Sequence, residues 1–375
     1  MASPLHILLR AQAVPTLRHW CLLLVIGAGC IPPAPALVEQ DVSFLVPLVG
    51  ARSFLPAAGP IGDGAPLISR SLFDRLPPLT VTDEPEALYA ALSTVGVRLD
   101  ACFREGTAQT CSPQVRLVLQ PVFDSTEGIT TRDAAIHVFF SVTEVELEEV
   151  VRKLSLLRGK TGVGVTAGLT GSHPGFENAG WVDGARAVLL PLLATARVVR
   201  ATAMSVHASN EAWIFSGLEV SAGTFTEIVV PTLAPAVKGH VTSTGAREAI
   251  LITLDPPSAA EPMLSTVLQN STREQASGAE LRAGVEAVLR LEDPQTHNPG
   301  TVDCASCHVA ATAKWFLMNQ SPVVAVDSPL PSGEVYANSR VMRAFGYFFQ
   351  TPALSPRVQR ETSAVLADFA HRLEP

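Results

Sequence analysis

Gln114-Val115-Arg116-Leu117-Val118-Leu119-Gln120-Pro121-Val122 alternates aliphatic side chains with mostly polar ones. Successive side chains of a strand point to opposite faces, so Val115, Leu117 and Leu119 share one face and Arg116, Val118 and Gln120 the other. That is the pattern of a half-buried strand. Ala135 to Val142, with Ile136, Val138, Phe139 and Phe140, reads as its partner. Thr143-Glu144-Val145-Glu146 then matches a capping box, and Leu147, Val150, Val151, Leu154 and Leu157 follow at helical spacing.

The same pattern extends outward. Asp83-Glu84-Pro85 opens a helix to about Ser93, and Val95–Leu99 is a further strand. Gly159, Gly162, Gly164, Gly168, Gly171 and Gly175 crowd a stretch that lacks the G-K-[ST] ending of a phosphate loop, so it reads as a loop before a helix over 181–196. Strands are expected over 197–206, 211–220, 224–230 and 248–254. Strands outnumber helices and are joined by short links, which predicts an α+β fold with a mainly antiparallel sheet over 81–255. Asp255-Pro256-Pro257 marks a boundary, and the patterns beyond it are helical: 263–268, 279–291, 309–318, and a closing helix with Ser355 at the N-cap and Pro356 at N1.

With 375 residues, 47% of them hydrophobic and 17% charged, the chain can bury a sizeable core. A net charge of −8 and the lack of a basic stripe argue against a nucleic-acid partner. Many of the 29 prolines fall between residues 32 and 88, so 30–80 reads as a tether and extended lead-in, with one edge strand at 41–46. At the N-terminus, Arg10, Arg18 and His19 precede the apolar run 20–26, too short to span a bilayer; residues 1–29 therefore read as an export signal. Gly27-Ala28-Gly29-Cys30 resembles the lipobox of bacterial lipoproteins, although Gly27 stands where that family usually has Leu. The resemblance implies lipidation at Cys30 and anchoring to a membrane of the periplasm or outer membrane. An ordinary signal peptide cut after Ala34-Pro35-Ala36 is the alternative. In an oxidising compartment, Cys102 and Cys111 read as a disulfide closing a short loop.

The chemistry-bearing stretch is Cys304-Ala305-Ser306-Cys307-His308, a C-x-x-C-H pattern. Two thiols at this spacing can add to the vinyl groups of one porphyrin, with the adjacent imidazole under the iron. Residues 256–375 resemble a small all-helical c-type cytochrome domain, in this motif and in the helices that follow it. The resemblance implies one covalent haem c held by Cys304, Cys307 and His308, and electron transfer with an unidentified redox partner. For the sixth iron ligand, Met342 lies far enough along the chain to pass round a porphyrin. His297 is the runner-up, and a site with no protein ligand there remains open. Phe345, Tyr347, Phe348 and Phe349 could line the cleft, and Arg340 and Arg343 could face propionates. His137 and His207, inside strand patterns, read as ordinary strand histidines. Two other readings stay open. One is a non-redox envelope lipoprotein in which both cysteine pairs are disulfides, and the other is a haem-dependent oxidoreductase.

Overall fold

The computed structural model describes residues 35–61, 64–104, 111–165, 168–207, 212–233, 252–319 and 345–373. The expected export signal, Cys30, Arg340, Met342 and Arg343 lie outside these residues, as does most of the strand expected over 248–254. None of the described helices is long and apolar enough to cross a membrane.

The fold is α+β, built on a large antiparallel sheet. Its strands are β1 (Ser43–Leu45), β2 (Leu92–Phe103), β3 (Ser112–Ser125), β4 (Gly128–Thr131), β5 (Ala134–Ser141), β6 (Val198–His207), β7 (Ala212–Ser221), β8 (Thr224–Glu227), β9 (Thr232–Leu233) and β10 (Leu254–Asp255). They run in the order β1-β2-β3-β5-β6-β7-β9-β10, with β4 on β3 and β8 on β7. A separate hairpin joins β11 (Phe345–Phe348) to β12 (Thr351–Leu354). The helices are α1 (Glu39–Val42), α2 (Leu48–Phe54), α3 (Arg70–Phe73), α4 (Pro85–Ala91), α5 (Glu144–Thr161), α6 (Ala179–Leu189), α7 (Ser265–Leu268), α8 (Asn270–Gln275), α9 (Gly278–Glu292), α10 (Cys304–Asn319) and α11 (Pro356–Leu373).

Local signals set the helix ends. Thr143 Oγ1 accepts from the Glu146 N–H at 3.2 Å while the Glu146 carboxylate accepts from the Thr143 N–H at 2.9 Å, closing the capping box of α5. Gly162, at φ 66°, ends that helix in the left-handed conformation that glycine adopts without strain. Ser355 Oγ accepts from the Val358 N–H at 3.2 Å at the start of α11.

Residues 35–80 are not a tether. Val42, Phe44, Leu45, Ala51, Phe54, Leu55, Leu67 and Ile68 are buried in the main core. The prolines and glycines cut this segment into short pieces, but its large apolar side chains still pack. Arg158 of α5 clamps it, pairing with Asp41 at 2.9 Å.

Register defines what each face of the sheet carries. Leu117 lies opposite Val138, Val138 opposite Ala201 and Ala201 opposite Leu218, and all four enter the core that also holds Leu147, Val151 and Leu154 of α5 and Trp181 of α6. On the other face Arg98 lies opposite Arg116, Val118 opposite His137, His137 opposite Thr202, and Met204 opposite Phe215. This second face is not open to water. Arg98, Arg116, Gln120, Arg200 and Thr202 are all buried there. Helices from the C-terminal third contribute Leu264, Val285, Val288, Leu291, Val309 and Phe316 to a second core with Met204, Trp213 and Phe215. The described residues form one compact unit, and α11 returns to pack on β2 and α1.

Candidate functional site

Asp303 fixes the start of α10. Its carboxylate accepts from the Ser306 N–H and the Ser306 hydroxyl, each at 2.7 Å, and its carbonyl accepts from the Cys307 N–H at 3.1 Å. The helix thus begins at the first cysteine, and positions three and four apart fall on one side. Cys304, Cys307, His308 and Ala311 all border a single hollow. The opposite side of α10, with Ala305, Val309, Ala313 and Phe316, is spent on the second core against α9. The sequence motif is therefore also one face of a helix.

The facing wall is the polar face of the sheet, with Arg98 of β2, Arg116 of β3, His137 of β5 and Thr202 of β6. Phe345 and the start of α11, Ser355 to Glu361, complete the enclosure. The space among these side chains is about 650 Å³ with its opening to solvent included. A second hollow of about 460 Å³ shares His137, Thr202, Cys304, His308 and Phe345 with it, and adds Gln120, Met204, Gly346 and Tyr347. The His308 ring packs against Phe215 of β7 with centroids 5.3 Å apart. Gly96 makes room for the hairpin, since a Cβ there would come within 3.2 Å of the Phe345 ring.

Charge is concentrated at one end. Glu361 receives Arg98, Arg116 at 3.3 Å and Arg357 at 3.1 Å. Asp100 adds a carboxylate 3.5 Å from Arg116. Burial pushes Asp100 up in spite of Arg116 and Arg98. Burial alone would also raise Glu361, but Arg98, Arg357 and Arg116 outweigh it and hold its carboxyl at about 2. The three guanidinium groups thus stand among three carboxylates, because Glu292, paired with Arg360 at 2.5 Å, borders the same hollow. Guanidinium groups are the donors that a ligand carrying its own carboxylates would use.

The thiols are unbonded, and Cys102–Cys111 is the disulfide formed among the described residues. Burial raises Cys304, against a hydrogen bond from Thr202, and pushes Cys307 up to about 12. Protonated, enclosed thiols are the opposite of the low-pKa attacking sulfur of a thioredoxin-type dithiol. No three His, Cys, Asp or Glu side chains among the described residues group to hold a bare metal ion. Haem asks less of the protein, because its porphyrin supplies the in-plane ligands. Two thiols, an imidazole beside them, an apolar lining of Val302, Ala311, Phe345 and Val358, and cations at one end all fit that group.

Of the other expected residues, Phe345 borders both hollows and Tyr347 the second, whereas Phe348 borders neither and Phe349 is exposed. His297 lies elsewhere. Its Nε2 is 3.1 Å from Glu261, its Nδ1 is 3.3 Å from Thr301 Oγ1, and it borders a different hollow beside the Cys102–Cys111 disulfide. From sequence, Arg98 and Arg357 carry no mark, Arg116 is one polar position of a half-buried strand, and His137 reads as an ordinary strand histidine. The available signal was the composition of the polar positions of four strands, with Arg, His and Thr where a solvent face favours Lys and Glu. Burial, helped by Arg116 and His308, pushes His137 down to about 3, so its imidazole is neutral.

No family model matches the chain, and neither a curated protein nor a solved structure matches it significantly.

Proposed function

We propose that this protein binds one haem c covalently through Cys304 and Cys307, with His308 as an axial iron ligand, and acts in electron transfer. One observation carries the reading: both thiols and the imidazole open from a single helix face onto one partly enclosed, largely apolar hollow with buried arginines at one end. The haem, once bound, supplies a one-electron Fe(III)/Fe(II) couple. The chain's own residues would hold it: Cys304 and Cys307 as the points of attachment, His308 as a ligand to its iron, and the apolar side chains of Val302, Ala311, Phe345 and Val358 along it. Export and lipidation at Cys30 belong to the same proposal, because thioether attachment and the Cys102–Cys111 disulfide both suit an oxidising compartment outside the cytoplasm. The partner is then another redox protein at a periplasmic or outer-membrane surface.

The test is expression of the full chain with and without a cytochrome c maturation system. A heated denaturing gel is then stained for haem-dependent peroxidase activity. We expect a stained band only with maturation, lost in Cys304→Ser/Cys307→Ser. An unstained wild-type band beside a stained control cytochrome would remove the proposal.

A further inference from the structure

We infer that His137 is the second axial ligand of the iron, making the centre a bis-histidine site that pairs one imidazole from a helix with one from the sheet. This rests on the haem reading above. His137 sits near the middle of β5, opposite Val118 of β3 and Thr202 of β6, so its side chain projects from the sheet face across which α10 presents His308. Both histidines border both hollows, and no other histidine of the described residues borders either.

His137 is also unengaged. Among the described residues nothing hydrogen-bonds to either of its ring nitrogens, and the ring of Phe139 lies 6.5 Å away. The imidazole is half-buried and borders both hollows, so a group bound there would meet a ring nitrogen with no competing partner. The rival donors are worse placed. His297 is engaged by Glu261 and Thr301. His173 stacks on Trp181 in the other core, and His371 is near the exposed end of α11. Met204 borders only the second hollow and is otherwise packed among Trp213 and Phe215.

The consequence is functional. With both axial positions taken by the protein, no position is left for oxygen or peroxide, so the site is built to pass electrons rather than to activate a substrate. Two imidazoles also set a lower potential than an imidazole with a thioether, which raises it.

The experiment uses the full chain matured with haem, as the wild type, His137→Ala and Met204→Leu. Ferric spectra, electron paramagnetic resonance and near-infrared magnetic circular dichroism report spin state and ligand type. Wild type should be low-spin with two nitrogen axial ligands and should not bind carbon monoxide readily when reduced. His137→Ala should become high-spin, bind carbon monoxide at once, and return to low-spin on addition of imidazole. Met204→Leu should behave as wild type. If His137→Ala does not fold, the wild-type ligand signature still decides. A high-spin wild type, a nitrogen–sulfur signature, or a low-spin spectrum unchanged in His137→Ala overturns this inference and leaves haem attachment standing. Failure to attach haem at all removes both.

Discussion

Glu361→Gln tests the charge cluster most directly. The Glu361 carboxylate is the shared acceptor for Arg98, Arg116 and Arg357, and the Arg98 side chain is 0% exposed. The amide keeps the shape and removes the charge. Arg98 retains Ser43, the Val358 carbonyl and Thr362 as acceptors, so the loss is mainly one of charge balance. Two routes give its size. Removing one partner of a buried ion pair costs about 3–5 kcal/mol. The fall of Glu361 from an ordinary 4.5 to about 2 corresponds to roughly 3 kcal/mol. Because Asp100 is pushed the other way, it cannot take over the role. The assay is guanidinium denaturation at pH 7, followed by tryptophan fluorescence, in a Cys304→Ala/Cys307→Ala background that carries no haem. We expect a loss of about 3 kcal/mol, partly recovered by adding Arg98→Met. Acidification should remove the same contribution. The carboxylate's folded pKa lies below its unfolded one, so its stabilisation is complete above about pH 4.5 and fades toward pH 2. A loss under about 1 kcal/mol would refute the claim that the three arginines depend on Glu361 for their charge balance.

Three further outcomes are expected. Replacing Cys102 and Cys111 together by Ser should lower stability by about 2–3 kcal/mol in oxidising buffer and leave it unchanged in reducing buffer, as measured by paired denaturation curves. His173, which accepts from the Gly175 N–H at 2.8 Å and stacks on Trp181 at 4.0 Å, is driven down to about 3 by burial. The unfolded chain therefore takes up a proton below about pH 6.5 that the folded one refuses, and stability should fall by up to about 5 kcal/mol between pH 6.5 and 3; His173→Gln should flatten that slope, measured by denaturation across the range. Gly96→Ala places a methyl 3.2 Å from the Phe345 ring, which borders the hollow, and 3.3 Å from Val118, so the ring must shift slightly; haem incorporation should drop by more than stability does, read as haem stain per unit of folded protein.

Much of the architecture was legible in the chain. Alternation at 114–122, the capping box at Thr143 and the Ser355-Pro356 pair are short-range signals, and the strand, α5 and α11 that they predict are present. The C-x-x-C-H spacing was legible too, but the expected helix began at residue 309; the structure starts α10 at Cys304, which brings i, i+3 and i+4 onto one helix face. Short strands such as β4 and β9 carry too few residues for a periodicity, and the hairpin β11–β12 hides in an aromatic run that suits a helix core as well as a strand.

What the sequence by itself determined was which residues alternate and which three reactive groups travel together. Only the tertiary structure decided what the polar side of the sheet faces. Arg116, His137 and Thr202 lie on three strands, and from sequence each looks like a solvent-side residue. Their common register, and the helices of the C-terminal third laid over them, turn that side into the wall of a chamber. Local spacing encodes the direction of a side chain, whereas its surroundings depend on segments more than 150 residues away that no window of sequence contains.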